Sequence, residues 1–204
     1  MSEDYSNRSL QTELLNLLHS RQGHFKFESG HHGDLWLDLD LLFLRPKEIQ
    51  PFVDELTLKI SPFGVDAICG PMVGGALIAQ TMAIALEVDF YYTERVLPQH
   101  SDALYSAAYH LPHHLRETVT GKRMAIVDDV INAGSAVRGT LAKLQSLGAT
   151  TVVIGSLLVL GDVGQNYFAE RDIPLRNISH LPSEIWRPED CPLCAAGIPI
   201  SNLD

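Results

Sequence analysis

An apolar run, Met124-Ala125-Ile126-Val127, delivers two adjacent carboxylates, Asp128 and Asp129, and is followed by Val130-Ile131-Asn132-Ala133-Gly134-Ser135-Ala136. The run reads as a buried strand, Arg123 to Val127, the small residues as a tight turn, and the stretch from Ser135 as a helix. In open α/β sheets ligands bind beyond the carboxyl ends of the strands. At such a place small residues let the backbone approach an anion, and the amides and dipole of a helix start favour phosphate. Ser135 adds a hydroxyl donor. Asp128 and Asp129 can accept hydrogen bonds from vicinal sugar hydroxyls and favour positive charge developing on the sugar. These types at this spacing suit the holding of a sugar phosphate. A solvated acidic pair at a strand end is the plainer alternative. A nucleotide-hydrolysing P-loop needs G-x-x-x-x-G-K-[ST], and neither it nor G-x-G-x-x-G occurs in the chain.

Two other segments accompany this one. Phe25-Lys26-Phe27-Glu28-Ser29-Gly30 alternates apolar and polar residues before a glycine. Asp66-Ala67-Ile68-Cys69-Gly70-Pro71 runs into Gly74-Gly75 and a small-residue helix. Glycines between strand and helix are also common turn chemistry. Taken together, V-D-D-V-I-N-A-G-S-A resembles the signature that type I phosphoribosyltransferases use to bind phosphoribosyl pyrophosphate (PRPP). The other two segments resemble the hood strand and the pyrophosphate loop of the orotate branch of that family. The likeness runs in the family's order over roughly residues 9–160. Cys191-Pro192-Leu193-Cys194 resembles the tail of some members more weakly.

The resemblance implies an α/β fold, with a mainly parallel five-strand sheet flanked by helices and a small N-terminal hood over the base site. It implies transfer of ribose 5-phosphate from PRPP to a nucleobase in pyrimidine nucleotide biosynthesis, with release of pyrophosphate, Mg²⁺ as cofactor and a homodimer. Carried onto this chain, it makes Asp128 and Asp129 catalytic. It has them bind PRPP with Asn132, Ala133, Gly134, Ser135 and Ala136, while Gly70, Pro71, Gly74, Gly75 and Arg95 hold the pyrophosphate. Phe27, Glu28 and Ser29 face the base. Mg²⁺ enters through PRPP, with Asp128 and Asp129 as candidate protein contacts.

Three departures bear on chemistry. Orotate enzymes of this family carry a lysine where Glu28 stands, often a lysine in the loop that here reads Val73-Gly74-Gly75, and spaced lysines in a mobile loop. The corresponding stretch here, Arg95 to Asp102, has none. Arg95 remains to face pyrophosphate, its fork suiting phosphate, and His100 is either a loop donor or a solvent-facing side chain. If Glu28 points into the hood, an anionic base such as orotate meets like charge, and a neutral base or a purine is favoured; if it faces water it has no bearing. A PRPP-binding regulatory or catalytically weakened homologue, and a phosphoribosyl hydrolase, are the rival readings.

Certain elements must position these residues. Leu10, Leu14, Leu17 and Leu18 recur at helical spacing, giving a helix over about 9–20 with Gly23 as its stop. Residues 24–44 read as a small antiparallel β element. A helix follows from Pro46 to about Ile60. Beyond it strands (65–69, 88–92, 123–127, 151–160, 173–178) alternate with helices (76–86, 135–147, 163–171), as a parallel sheet requires. The stretch 93–121 is long, polar and without clear period. We expect a single domain, with residues 1–60 as hood and N-terminal helices, 61–180 as core and 181–204 as tail.

The remaining constellations are weaker. Cys191 and Cys194 have zinc-knuckle spacing, but a structural zinc needs four ligands and no second C-x-x-C exists. His180 or Cys69 would have to be brought close; a terminal turn with reduced thiols is the simpler expectation. His110, His113 and His114 read as a surface cluster rather than a metal patch. Trp36 and Phe27 are either aromatic walls of a base pocket or core. The formal net charge of −10 argues against a nucleic-acid binder, which needs a basic surface. The three cysteines, a polar N-terminus and no long apolar run suggest a cytoplasmic protein without a membrane span.

Overall fold

The computed structural model describes residues 2–96 and 103–202. The chain runs α1 (Ser2–Leu17), β1 (Ser20–Lys26), β2 (His32–Leu37), α2 (Pro46–Ile60), β3 (Ala67–Pro71), α3 (Gly74–Leu86), β4 (Asp89–Val96) and β5 (Ala108–His110). It continues with β6 (Arg123–Ile131), α4 (Ser135–Ser146), β7 (Thr150–Leu160), α5 (Val163–Ala169), β8 (Leu175–Leu181), β9 (Ile185–Trp186) and α6 (Pro192–Ala195).

The central sheet has the order β5-β4-β3-β6-β7-β8. Its five strands from β4 to β8 are parallel, and β5 turns back antiparallel on the β4 edge. The sheet is thus the mainly parallel one expected. Side chains alternate across it, as they must in a strand buried on both faces. Ala125 and Val127 of β6 join Phe52, Val53 and Leu56 of α2 and Ile78 and Met82 of α3 on one face. Met124 and Ile126 join Val137, Leu141 and Leu144 of α4 and Phe168 of α5 on the other. Each such buried side chain contributes about 1.5–3 kcal/mol.

From β3 the chain steps outward to β4, then returns past β3 to β6 and continues outward to β7 and β8. The sheet order therefore reverses between β3 and β6. Helices after these two strands lie on opposite faces, which opens a crevice at their carboxyl ends. That crevice is where both glycine-containing turns emerge.

A second sheet, β1-β2-β9, is antiparallel and stands over this end. It is the expected hood, with one difference: its third strand comes from the C-terminal stretch. Gly33 pairs with Ile185 and His32 with Trp186. The tail is an edge of the hood rather than an appendage.

Other local differences have identifiable causes. The first helix ends at Leu17, and Gly23 lies inside β1 instead of stopping a helix. A side chain at Gly23 would meet the Ser201 hydroxyl and the Phe25 ring, so the glycine serves close approach of the tail. The strand expected to end at Val127 continues to Ile131, because Asp128, Val130 and Ile131 pair with Ser156, Leu158 and Val159 of β7. The stretch 93–121 holds the end of β4, the short β5 and a 3₁₀ segment, His113–Thr118. Such short elements leave too few residues to show a period.

Candidate active site

The turn between β1 and β2, the 3₁₀ segment Leu39–Phe43, the end of β6 and the start of α4 enclose a cavity of about 640 Å³. Phe27, Glu28 and Ser29 line it from the hood, Asp128 from β6, and Asn132, Ala133, Gly134, Ser135 and Ala136 from the following turn and helix. These nine were expected from sequence, and they come from segments about a hundred residues apart.

The turn after β6 has the geometry of an anion seat. Gly134 has φ of +76°, a left-handed conformation that side-chain-bearing residues adopt at a cost. It occupies the N-cap of α4 and supplies no side-chain cap, so the first amides of the helix are free of one. The Asn132 carbonyl is taken by the Gly164 amide at 3.1 Å, and the Gly134 carbonyl by the Arg138 amide at 2.8 Å, which hold the turn from behind. Ser135 and Ala136 remain half-buried at the cavity floor.

Asp128 is 8% exposed and lines the cavity; Asp129 is half-buried and does not. The Asp129 amide donates to Asp128 Oδ1 at 3.0 Å, and the Val130 amide to Asp129 Oδ1 at 2.7 Å. Burial and the neighbouring Asp129 carboxylate hold the Asp128 carboxyl well above the usual carboxylate range. Asp129 is raised too, chiefly by burial, while its backbone hydrogen bond pulls the other way. Neither forms an ion pair with a described lysine or arginine.

Gly70, Pro71, Gly74 and Gly75 do not line the cavity; Gly74 and Gly75 back the acidic pair, and Gly70 packs against Gly75. A β-carbon on Gly74 would land on the Asp129 carboxylate, and one on Gly75 would lie 2.8 Å from Asp128 Oδ1. The two glycines permit α3 to begin directly against the carboxylates.

Arg95, expected at pyrophosphate, is engaged with the hood. Its Nε lies 3.3 Å from Glu28 Oε2, while the Tyr109 hydroxyl donates to Glu28 Oε1 at 2.8 Å. Glu28 therefore neither faces open water nor stands as a bare charge over the cavity. Burial and this carboxylate push the Tyr109 phenol above its ordinary value, keeping it a neutral donor. His100 and the rest of 97–102 lie outside the described residues.

Phe27 and Trp36 are walls: their rings stack at 6.3 Å and 7°, and both line the cavity. Several participants escaped sequence reading. Asp38 and Asp40 line the cavity, and Asp38 accepts from Trp36 Nε1 at 3.1 Å and from Arg21 at 2.6 Å. Tyr109 was missed because β5 is too short to show a pattern. A side chain on Gly139, in the middle of α4, would collide with the Tyr109 ring, so that glycine was its one available sign. His110 pairs with Glu94 at 3.1 Å instead of joining His113 and His114.

Residues 52–194 match the phosphoribosyl transferase domain family. The chain is 30% identical over 184 residues to an orotate phosphoribosyltransferase of Carboxydothermus hydrogenoformans, covering 88% of this chain and 87% of the relative. It is 28% identical over 179 residues to one from a Thermoanaerobacter species, with 88% and 87% covered. In fold it is similar to an orotate phosphoribosyltransferase of Aeropyrum pernix, with TM-score 0.61, 20% identity, and 86% and 93% of the two chains covered. It is similar also to an adenine phosphoribosyltransferase of Saccharomyces cerevisiae, with TM-score 0.65, 23% identity, and 84% and 99% covered.

The raised carboxyl of Asp128 sets a sign for stability. An acid whose native pKa exceeds its unfolded value holds its proton more tightly when folded. It favours folding below the unfolded carboxylate range, and that contribution is lost as pH rises through the native pKa. Without Mg²⁺ and PRPP, Asp128→Asn should therefore melt above the parent at pH near 7. The gap should close as pH falls to about 4. Melting curves across pH check this; a variant less stable at every pH would make the carboxylate a structural group.

Proposed function

Because the chain belongs to the phosphoribosyl transferase domain family, we propose that it transfers ribose 5-phosphate from PRPP to a nucleobase, releasing pyrophosphate, and that the base is orotate. One observation carries the reading: the hood turn, Asp128 and the Asn132–Ala136 turn line the same cavity. The names of the relatives support the choice of base.

In this reading the amides of Ser135 and Ala136, with the Ser135 hydroxyl, hold the 5-phosphate, and Asp128 accepts from the ribose hydroxyls. The Gly70–Gly75 turn receives the pyrophosphate. The base lies against Phe27 and Trp36. As the C1–O bond breaks, its electron pair leaves with pyrophosphate, and a base nitrogen supplies the pair for the new C1–N bond. Positive charge on the sugar is opposed by Asp128 and Asp129, a fixed electrostatic environment that need not reorganise. The hood keeps water from the cationic sugar.

Mg²⁺ fits this donor set, since two desolvated carboxylates have no described cation paired with them and magnesium favours oxygen ligands. Asp128 and Asp129 would hold it together with PRPP, and it would supply neutralising charge to the pyrophosphate. The exposed apolar side chains of Met72 and Val73 before α3 and of Leu77 and Ile84 along it support a homodimer. No helix of the described residues is long and apolar enough to cross a membrane, and the free cysteines support a cytoplasmic setting.

A second reading, a PRPP-binding protein with weakened turnover, is favoured by the engagement of Arg95 with Glu28 and by the lack of a lysine within the Gly70–Gly75 turn. Steady-state kinetics with PRPP, Mg²⁺ and a panel of bases separate the two. Orotate should be turned over with kcat/KM of about 10⁴ M⁻¹s⁻¹ or better; PRPP binding without turnover of any base would establish the weakened homologue. Glu28→Gln removes a negative charge from the cavity wall and releases Arg95. It should raise kcat/KM for orotate roughly tenfold, equivalent to about 1.4 kcal/mol, and by more than any gain with adenine, which carries no carboxylate.

Gly134→Val places a branched side chain at a left-handed position and should weaken Mg²⁺-dependent PRPP binding at least tenfold, or about 1.4 kcal/mol, by calorimetry. Equal affinity in parent and variant would remove the phosphate from this turn. Light scattering should return twice the chain mass; a monomer at working concentration would discard the dimer.

A further inference from the structure

Cys191 and Cys194 are not a lone pair of terminal thiols. The fold brings His24 of β1 and His32 of β2 to them, and the four ligand atoms all lie within 4.8 Å of one another. The two residues that would have had to be brought close lie elsewhere: Cys69 is buried within β3, and His180 of β8 lies by the Gly161 carbonyl and Asp162. We propose that His24, His32, Cys191 and Cys194 form a structural zinc site that clips the C-terminal stretch to the hood.

The spacing is close to that of a tetrahedral shell. Zinc ligands about 2.0–2.3 Å from the ion stand roughly 3.3–3.8 Å from each other. Here His24 Nε2 lies 3.5 Å from Cys191 Sγ and 3.7 Å from Cys194 Sγ. His32 Nδ1 lies 3.2 Å from Cys194 Sγ and 3.0 Å from His24 Nε2. A modest outward movement accommodates an ion at the centre.

The tautomer is prepared for it. His24 Nδ1 is 2.7 Å from the Ile198 carbonyl. A carbonyl only accepts, so Nδ1 carries the proton and Nε2 turns its lone pair to the cluster. This is the outer-shell arrangement that orients metal-bound histidines. His24, His32 and Cys191 are 1%, 5% and 2% exposed, whereas Cys194 is open to solvent and gives an entry path. Two imidazoles and two thiols select zinc over the oxygen-seeking Mg²⁺ or Ca²⁺, and four protein ligands leave no open position for catalysis.

The surroundings are built around the same point. The Ser201 amide donates to the His24 carbonyl at 2.6 Å, and the His24 amide to Ser201 Oγ at 3.3 Å. With β9 paired to β2, the tail crosses the hood on both sides of the cluster. The two histidines also bracket the turn that carries Phe27, Glu28 and Ser29. An ion held there fixes both ends of that turn.

The full chain, purified without chelator, should retain about one zinc per chain by elemental analysis. Chelation should lower its melting temperature, with Zn²⁺ and not Mg²⁺ restoring it. Co²⁺ in place of zinc should show the visible bands of a tetrahedral site and thiolate-to-cobalt charge transfer. His32→Ala and Cys194→Ser should each weaken Zn²⁺ binding at least about tenfold, and Cys69→Ala should not. The proposal is overturned if the reduced parent holds no zinc and its melting point ignores added Zn²⁺. A Cys191–Cys194 disulfide in the freshly purified chain, unaffected by Zn²⁺ after reduction, would overturn it as well. Should a variant fail to fold, the cobalt spectrum of the parent still decides.

Discussion

Two carboxylates taken out of water at the carboxyl end of β6 are the constraint around which this molecule is arranged. Burial and mutual repulsion make their charge costly, and no described cation relieves it. Such a pair relieves the cost by holding protons or by receiving a cation with a ligand. The neighbours are consistent with this. β3 pairs with β6 as far as Ile126 and β7 pairs with it through Asp128 to Ile131, so the strand that carries the pair is held in the sheet. Gly74 and Gly75 let α3 start directly behind it, and the left-handed Gly134 turns the chain into α4 within a few residues of it. The pair sits where the sheet order reverses, the one end at which adjacent helices diverge and leave room for a sugar.

Glu28 and Arg95 show how a changed residue alters a site without abolishing its shape. A lysine at position 28 would offer an anionic substrate a cation. A glutamate there binds Arg95 and Tyr109 instead. The wall becomes locally neutral, so like-charge repulsion is less than a bare carboxylate would impose. The arginine that could face pyrophosphate is the one that supplies this neutrality. In the proposed reading, substrate charge and leaving-group binding would be coupled through this one pair, about 30–40% exposed at each side chain.

How much of this was legible depended on how local its cause is. The β6–α4 turn could be read because its strand, carboxylates, glycine and helix start are contiguous, and each has an intrinsic preference. The parallel core followed from long apolar segments of strong period. The extension of β6 to Ile131 could not be read, because it is imposed by pairing with β7. β5 and Tyr109 were hidden by length. The metal cluster was hidden by distance along the chain: His24 and Cys191 are separated by 167 positions, and a C-x-x-C with no second pair nearby reads as a turn. Only Gly23, out of place in a strand, marked where the tail approaches, and nothing in its neighbours says what approaches it.

The hood and the carboxylates are finally one system. A three-stranded antiparallel sheet with a two-residue edge strand has little core of its own, and sheets this small need further support to be stable. Yet its turn carries three of the cavity residues, and its closure determines whether the buried acids meet sugar or water. Support reaches that turn from two directions. The Tyr105 amide donates to the Ser29 carbonyl at 2.9 Å, and Arg138 of α4 lies over the Tyr105 ring at 4.2 Å. From the other side come β9, Ser201 and the histidine–cysteine cluster. The first route links the hood turn to α4, the helix that the Asn132–Ala136 turn opens. The second lies on the far side of the turn, and none of the cluster's four residues lines the cavity. A site whose electrostatics are set by a buried acidic pair requires this division: the core holds the charge fixed, and the two ends of the chain, tied together, hold the hood turn over it.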